Sequence, residues 1–211
     1  MEWISGLVWA LCCGCAQWLA VKRQILPHRE LARPIRLTLI AAAAAAGAVG
    51  GWFAMERAAL PDQLRLLLVM AVLCPAFAVD LTRRRIPNLL SLVLLGGFVL
   101  CTALDFFLRP SQALLLLGGS LLGGVGMLAV LGLCRLISRG GVGMGDVKLL
   151  SAMGFLLGLY GSICVLLYAQ LAALVCAVIL LVSRKATWKD TLPFAPFFTA
   201  GFLLCLILGT Y

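Results

Sequence analysis

Residues 113–137 read ALLLLGGSLLGGVGMLAVLGLCRLI, and the first twenty-two of them carry no charge. A helix needs roughly 20 apolar residues to cross the hydrocarbon layer of a bilayer, so this stretch is long enough for one crossing. Comparable runs lie at 3–21, 37–55, 64–80, 88–107, 162–182 and 193–211. A shorter one at 149–160 reads as a half-helix, or as a piece held in a thinned or protein-lined region. The pattern predicts an all-α polytopic membrane bundle of about eight spans, one of them short. Only Glu2 precedes the run at 3–21, with no basic segment, so it reads as a span rather than a cleaved signal peptide.

Composition points the same way. Of 211 residues, 64% are hydrophobic and 12% charged, against about 25% charged in an average soluble domain. That excludes a soluble enzyme, a disordered chain and a disulfide-stapled secreted module. Residues 1–211 read as one membrane domain, with the motif-bearing part at 61–206. The nine cysteines lie in apolar runs and read as small hydrophobes, with no metal site expected. Ala41–Ala46 with Gly47, Gly50 and Gly51 predict a face where helices pack closely. The glycines at 118, 119, 123, 124 and 126 predict another. Trp3, Trp9, Trp18, Trp52 and Trp188 are expected mostly near the bilayer interfaces.

The net charge of +9 reads as an orientation signal in a lipid bilayer, with no nucleic-acid partner. Fourteen of the 17 basic residues fall in 22–36, 81–87, 135–148 and 183–192. Only Arg57, Arg65 and Arg109 lie on the other side. The positive-inside rule then predicts that the basic loops face the cytoplasm and that both termini are external.

The eight acids are few enough to place one by one. Glu2, Glu56, Asp62 and Asp105 fall on the external side, and Glu30 and Asp190 in cytoplasmic loops, where His28 reads as solvated. Asp80 and Asp146 remain, each at a cytoplasmic span boundary, where an ionisable group is costly and usually functional. Asp146 follows Gly143-Met144-Gly145 at the start of an apolar helix, where the macrodipole favours a carboxylate. Downstream of Asp80 lies Ile86-Pro87-Asn88, and Pro87 suits the first turn of the next helix. Simple pairing with Arg83, Arg84 or Lys148 is the plain structural alternative for both acids. If the two carboxylates meet, they share a proton. One can then draw a proton from water while the other polarises a peptide carbonyl, as in an aspartic protease.

Together these residues resemble the type IV prepilin peptidase family, membrane aspartyl proteases with a G-x-G-D motif. Asp80 with Ile86-Pro87-Asn88 is similar to the family's first catalytic aspartate and its downstream motif. Gly143-Met144-Gly145-Asp146-Val147-Lys148-Leu149-Leu150 is similar to the second. Leu192-Pro193-Phe194-Ala195-Pro196-Phe197 is similar to the proline-rich element that opens the last helix. The resemblance implies Asp80 and Asp146 as the catalytic pair, supported by Gly143, Gly145, Lys148, Pro87 and Asn88. Pro193 and Pro196 break helical hydrogen bonding, which reads either as a kinked helix start or as an opening for an extended substrate segment. The implied partners are prepilin or pseudopilin precursors, cut at the cytoplasmic boundary of the bacterial inner membrane. Larger members carry a four-cysteine zinc loop between the first two helices and N-methylate their product with S-adenosylmethionine. Loop 22–36 has no cysteine, so the resemblance is to a short form, carries no methyl transfer with it and implies no cofactor. Two other readings stay open: an intramembrane protease of presenilin type, which shares G-x-G-D, and a small ion-coupled transporter using Asp80 and Asp146.

Overall fold

The computed structural model describes residues 2–22, 33–83, 86–139, 141–184 and 193–211. Every regular element among them is a helix. In chain order these are α1 (Glu2–Lys22), α2 (Arg33–Arg57), α3 (Leu60–Arg83), α4 (Asn88–Leu108), α5 (Pro110–Ile137), α6 (Met144–Val182) and α7 (Ala195–Leu208). Helices α2 to α6 are long and apolar enough to cross a membrane, while the apolar parts of α1 and α7 are shorter. Large apolar side chains point outward: Phe107, Leu115 and Leu136 are 86%, 81% and 75% exposed. Such a surface suits lipid rather than water.

The segments expected separately at 149–160 and 162–182 form one element, α6, broken at Gly158 (φ 72°, ψ −178°). Positive φ is nearly free for glycine and costly for other residues. Before the break α6 runs parallel to α4, with Lys148 beside Asn88 and Phe155 beside Phe98. After it, Gly161 lies against Tyr211, and Val165 and Ala169 against Gly201, so α6 runs antiparallel to α7. Both α4 and α7 start at the Asp80 end, so the chain reverses at Gly158. The short expected segment is thus the first limb of a helical corner.

Helix α3 is central and touches α1, α2, α4, α6 and α7. It buries Leu66, Val69, Met70 and Leu73 among them. Glycines let neighbouring backbones meet. A Cβ on Gly123 would lie 2.3 Å from the Gly154 carbonyl oxygen, and one on Gly47 would lie 2.7 Å from the Trp9 carbonyl oxygen. Gly118 and Gly119, expected on the same packing face as Gly123, have open space instead. Trp9 also departs from expectation. It is 3% exposed in the core rather than at an interface, because Gly47 and Gly50 of α2 leave room for it. The side chains of Trp3 and Trp188, like His28 and most of loop 22–36, lie outside the described residues. At the end of α3 remote from Asp80, Arg65 pairs with Asp105 and Arg109 with Asp62.

Candidate active site

The last turn of α3 carries Asp80, which is 6% exposed. The first turn of α6 carries Asp146. The chain separates them by 66 positions, yet the fold brings them within electrostatic reach of each other. A third element joins them. The backbone N–H of Ala195, the first residue of α7, donates to Asp80 Oδ2 at 2.9 Å. The first N–H groups of a helix have no partner within it, and they favour an acceptor with negative charge. Three helix ends therefore converge on one carboxyl pair.

The two motif glycines have separate jobs. A Cβ on Gly143 would stand 2.7 Å from Asp146 Oδ2, so a side chain there would occupy the space of the carboxylate. A Cβ on Gly145 would stand 3.0 Å from the Ile86 Cβ, with the Ile86 backbone close behind. Gly145 thus lets Ile86, just before α4, pass close over the start of α6. Next to it, Pro87 is extended (φ −66°, ψ 137°) and caps α4. It precedes the first turn rather than lying in it, because α4 starts at Asn88.

Lys148 donates from Nζ to Asn88 Oδ1 at 3.1 Å, which ties α6 to α4. Among the described residues, neither Asp80 nor Asp146 forms an ion pair. Arg83 is exposed, and Arg84 lies outside the described residues. Pro193 precedes α7, and Pro196 sits in its first turn, where a missing N–H leaves no helical bond unmade. Cys12 and Cys15 stand in C-x-x-C spacing on α1, but among the described residues no three metal-ligating side chains converge.

Two contributors carry no sequence signal. Ala195 acts through its backbone, which any residue but proline would supply. Arg135, legible only as an orientation charge, donates to the Val142 carbonyl and so secures the turn before Gly143.

Comparison with known proteins adds an independent line. The profile of the type IV leader peptidase family matches residues 67–178, a segment that includes Asp80, Pro87, Asn88 and the whole Gly143–Lys148 turn. A "Prepilin leader peptidase/N-methyltransferase" of Aeromonas hydrophila is 29% identical over 147 residues, covering 69% of this chain and 50% of that protein. One of the same name from Burkholderia pseudomallei is 30% identical over 142 residues, covering 66% and 45%. The chain thus spans about half the length of the curated relatives it matches. No solved structure matches.

Proposed function

The chain belongs to the type IV leader peptidase family, and on that premise we propose an aspartic endopeptidase with Asp80 and Asp146 as its catalytic pair. Its substrates are prepilin or pseudopilin precursors. It cuts their basic leader at the cytoplasmic boundary of the bacterial inner membrane. What supports this reading is that Asp80 and Asp146 lie inside the family-matched segment, near enough for charge on one to act on the other and without a cationic partner among the described residues.

The chemistry follows from one proton shared by the pair. The ionised carboxylate draws a proton from water as the water oxygen attacks the scissile carbonyl carbon. The protonated carboxyl group gives its proton to the carbonyl oxygen. The tetrahedral intermediate then collapses, the C–N bond breaks and the amine leaves with a proton from the pair. Ala195 holds Asp80 in one orientation, and Gly143 keeps space for the carboxylate of Asp146. A substrate must present this site with an extended segment, because a helix engages its own carbonyls. Pro193 and Pro196 mark the side of entry, where α7 begins next to Asp80. The basic loops orient the aspartate end toward the cytoplasm. The relatives' name adds N-methyltransferase; the reading proposed for this chain stops at cleavage.

The test is co-expression with a candidate precursor, with the new N-terminus read by mass spectrometry. The unaltered chain releases the leader, while Asp80→Asn and Asp146→Asn each leave the precursor whole. Normal processing by either variant rejects the dyad. Cleavage inside the apolar segment would point to the presenilin-type reading, and ion-coupled flux without cleavage to a transporter.

A further inference from the structure

A cavity of about 230 Å³ lies between α1, α2, α3 and α7, near the last turns of α3. Gln17 comes from α1, Ala43 and Ala46 from α2, Phe77 from α3, and Pro196 and Thr199 from α7. Phe77 is one turn before Asp80, and Pro196 directly follows the residue whose N–H holds Asp80. The cavity thus begins about one turn, roughly 5 Å, from Asp80 toward the middle of the bundle. It opens sideways, since Ala42 and Ala200 on its edge are exposed.

Its walls are apolar with two exceptions. Thr199 is already engaged, its hydroxyl donating to the Ala195 carbonyl at 3.0 Å. Gln17 is 1% exposed, and its Oε1 has no hydrogen-bond partner among the described residues. A buried acceptor left unmade is destabilising, and a bilayer offers no water to satisfy it. An acceptor kept in that state, on the wall of a cavity next to the reacting groups, awaits a donor from a bound molecule.

We propose that this cavity is the subsite for the apolar side chain that follows the scissile bond, with Gln17 Oε1 accepting a backbone N–H of the bound segment. The inference rests on the peptidase reading above. Polarity decides which side of the bond enters. A charged leader residue would lose its hydration in such a site, whereas an apolar one gains by burial. Size fits as well: a dry cavity of about 150 Å³ accepts benzene, so this one holds a single Phe or Leu side chain. An extended segment at membrane depth needs partners for its own N–H groups, and Gln17 supplies one. The sideways opening lets a membrane-anchored substrate enter from the lipid.

The test uses the enzyme in detergent and precursors carrying Trp, Phe, Leu, Ala or Gly after the scissile bond. The unaltered enzyme should favour Phe and Leu. Ala46→Leu fills the cavity and should lower the kcat/KM ratio of the Phe to the Ala precursor at least tenfold, a change of roughly one methylene-scale contact or more. Phe77→Ala enlarges it and should move the preference toward Trp, which serves if Ala46→Leu does not fold. Gln17→Leu removes the unsatisfied acceptor at similar volume. It should raise KM roughly fivefold, the equivalent of one hydrogen bond, with kcat held and the unfolding temperature equal or higher. An unchanged ranking in both cavity variants overturns the subsite. A fall in unfolding temperature with kcat for Gln17→Leu overturns its role as acceptor. If the unaltered enzyme cuts no precursor, the peptidase reading itself fails, a result distinct from either.

Discussion

Four aspartates lie near helix ends, two at each end of the bundle, and the two ends treat them in opposite ways. Far from the site, Asp105 is 1% exposed and takes the guanidinium of Arg65, tying α4 to α3. Asp62 takes Arg109 at 3.0 Å, tying α3 to the α4–α5 junction. At the site end, among the described residues, Asp80 accepts a single backbone N–H and neither it nor Asp146 has a cation. A carboxylate kept for structure is neutralised by a partner. Under the proposed function, the carboxylates at the site end are left without such a partner because they serve chemistry. Both kinds are costly to bury, and what differs is how the cost is met.

The sharpest way to break this comparison is to neutralise one acid at each end. Asp80→Asn or Asp146→Asn should lower precursor cleavage by at least about 10³-fold, since members of a catalytic unit fail together. Neither should lower the unfolding temperature much, because asparagine at position 80 can still accept the Ala195 N–H and neither change leaves a buried cation unpaired among the described residues. Asp105→Asn should do the reverse. It leaves Arg65 buried and unpaired, at about 3–5 kcal/mol of stability, while cleavage at permissive temperature persists. Equal destabilisation by Asp80→Asn and Asp105→Asn would erase the distinction between the ends.

The paired end has a second signature. Breaking a buried ion pair costs far more than replacing it whole. Arg65→Met with Asp105→Leu should therefore recover most of the stability that Asp105→Asn loses, as thermal unfolding of the two variants would show. Failure to recover would mean that Thr102 and other buried polar groups nearby depend on the charges themselves; among the described residues the Thr102 hydroxyl has no partner.

The site end has its own contrast, between two glycines of one turn. Alanine at Gly145 would press on Ile86 at 3.0 Å and push that residue off α6. That overpacking should cost about 1–3 kcal/mol and slow cleavage as a consequence. Alanine at Gly143 meets only the Asp146 carboxylate, and the backbone there suits any residue. Gly143→Ala should cost no more than a few tenths of a kcal/mol to about 1 kcal/mol, yet reduce kcat clearly. Unfolding and single-turnover cleavage, measured side by side, separate the two. Equal loss of stability in both would assign the whole motif to packing.

What the sequence made legible follows from which signals are local. Apolar runs gave the helices, and scarcity of charge singled out Asp80 and Asp146. The carboxyl partners were not legible in that way. Asp62 and Asp105 read only as external acids, because Arg109 and Arg65 find them across 47 and 40 positions. Trp9 was misplaced for a related reason: its backbone answers to Gly47 and its indole to Gly50, both on another helix. The reversal at Gly158 was half legible. Spacing showed a short segment followed by a long one, but one glycine among 22 carries no mark of its positive φ.

The smallest expected effect sharpens the comparison most. Lys148 is the only basic residue in the Asp146 turn, two positions after the aspartate. If its ammonium acted on the carboxyl pair, the site end would hold a cation after all. Its nitrogen instead donates to Asn88, and the contact is exposed. An exposed hydrogen bond of this kind contributes about 0.5–1.5 kcal/mol, so Lys148→Met should fall at or below that range in stability. Cleavage should change in step with the loosened α4–α6 contact, and Asn88→Ala should reproduce it, since both variants remove the same bond. A cleavage loss in Lys148→Met that Asn88→Ala does not share would place the lysine's charge at the aspartates. The line between the ends would then run between a tight cation and a loose one, rather than between paired and unpaired.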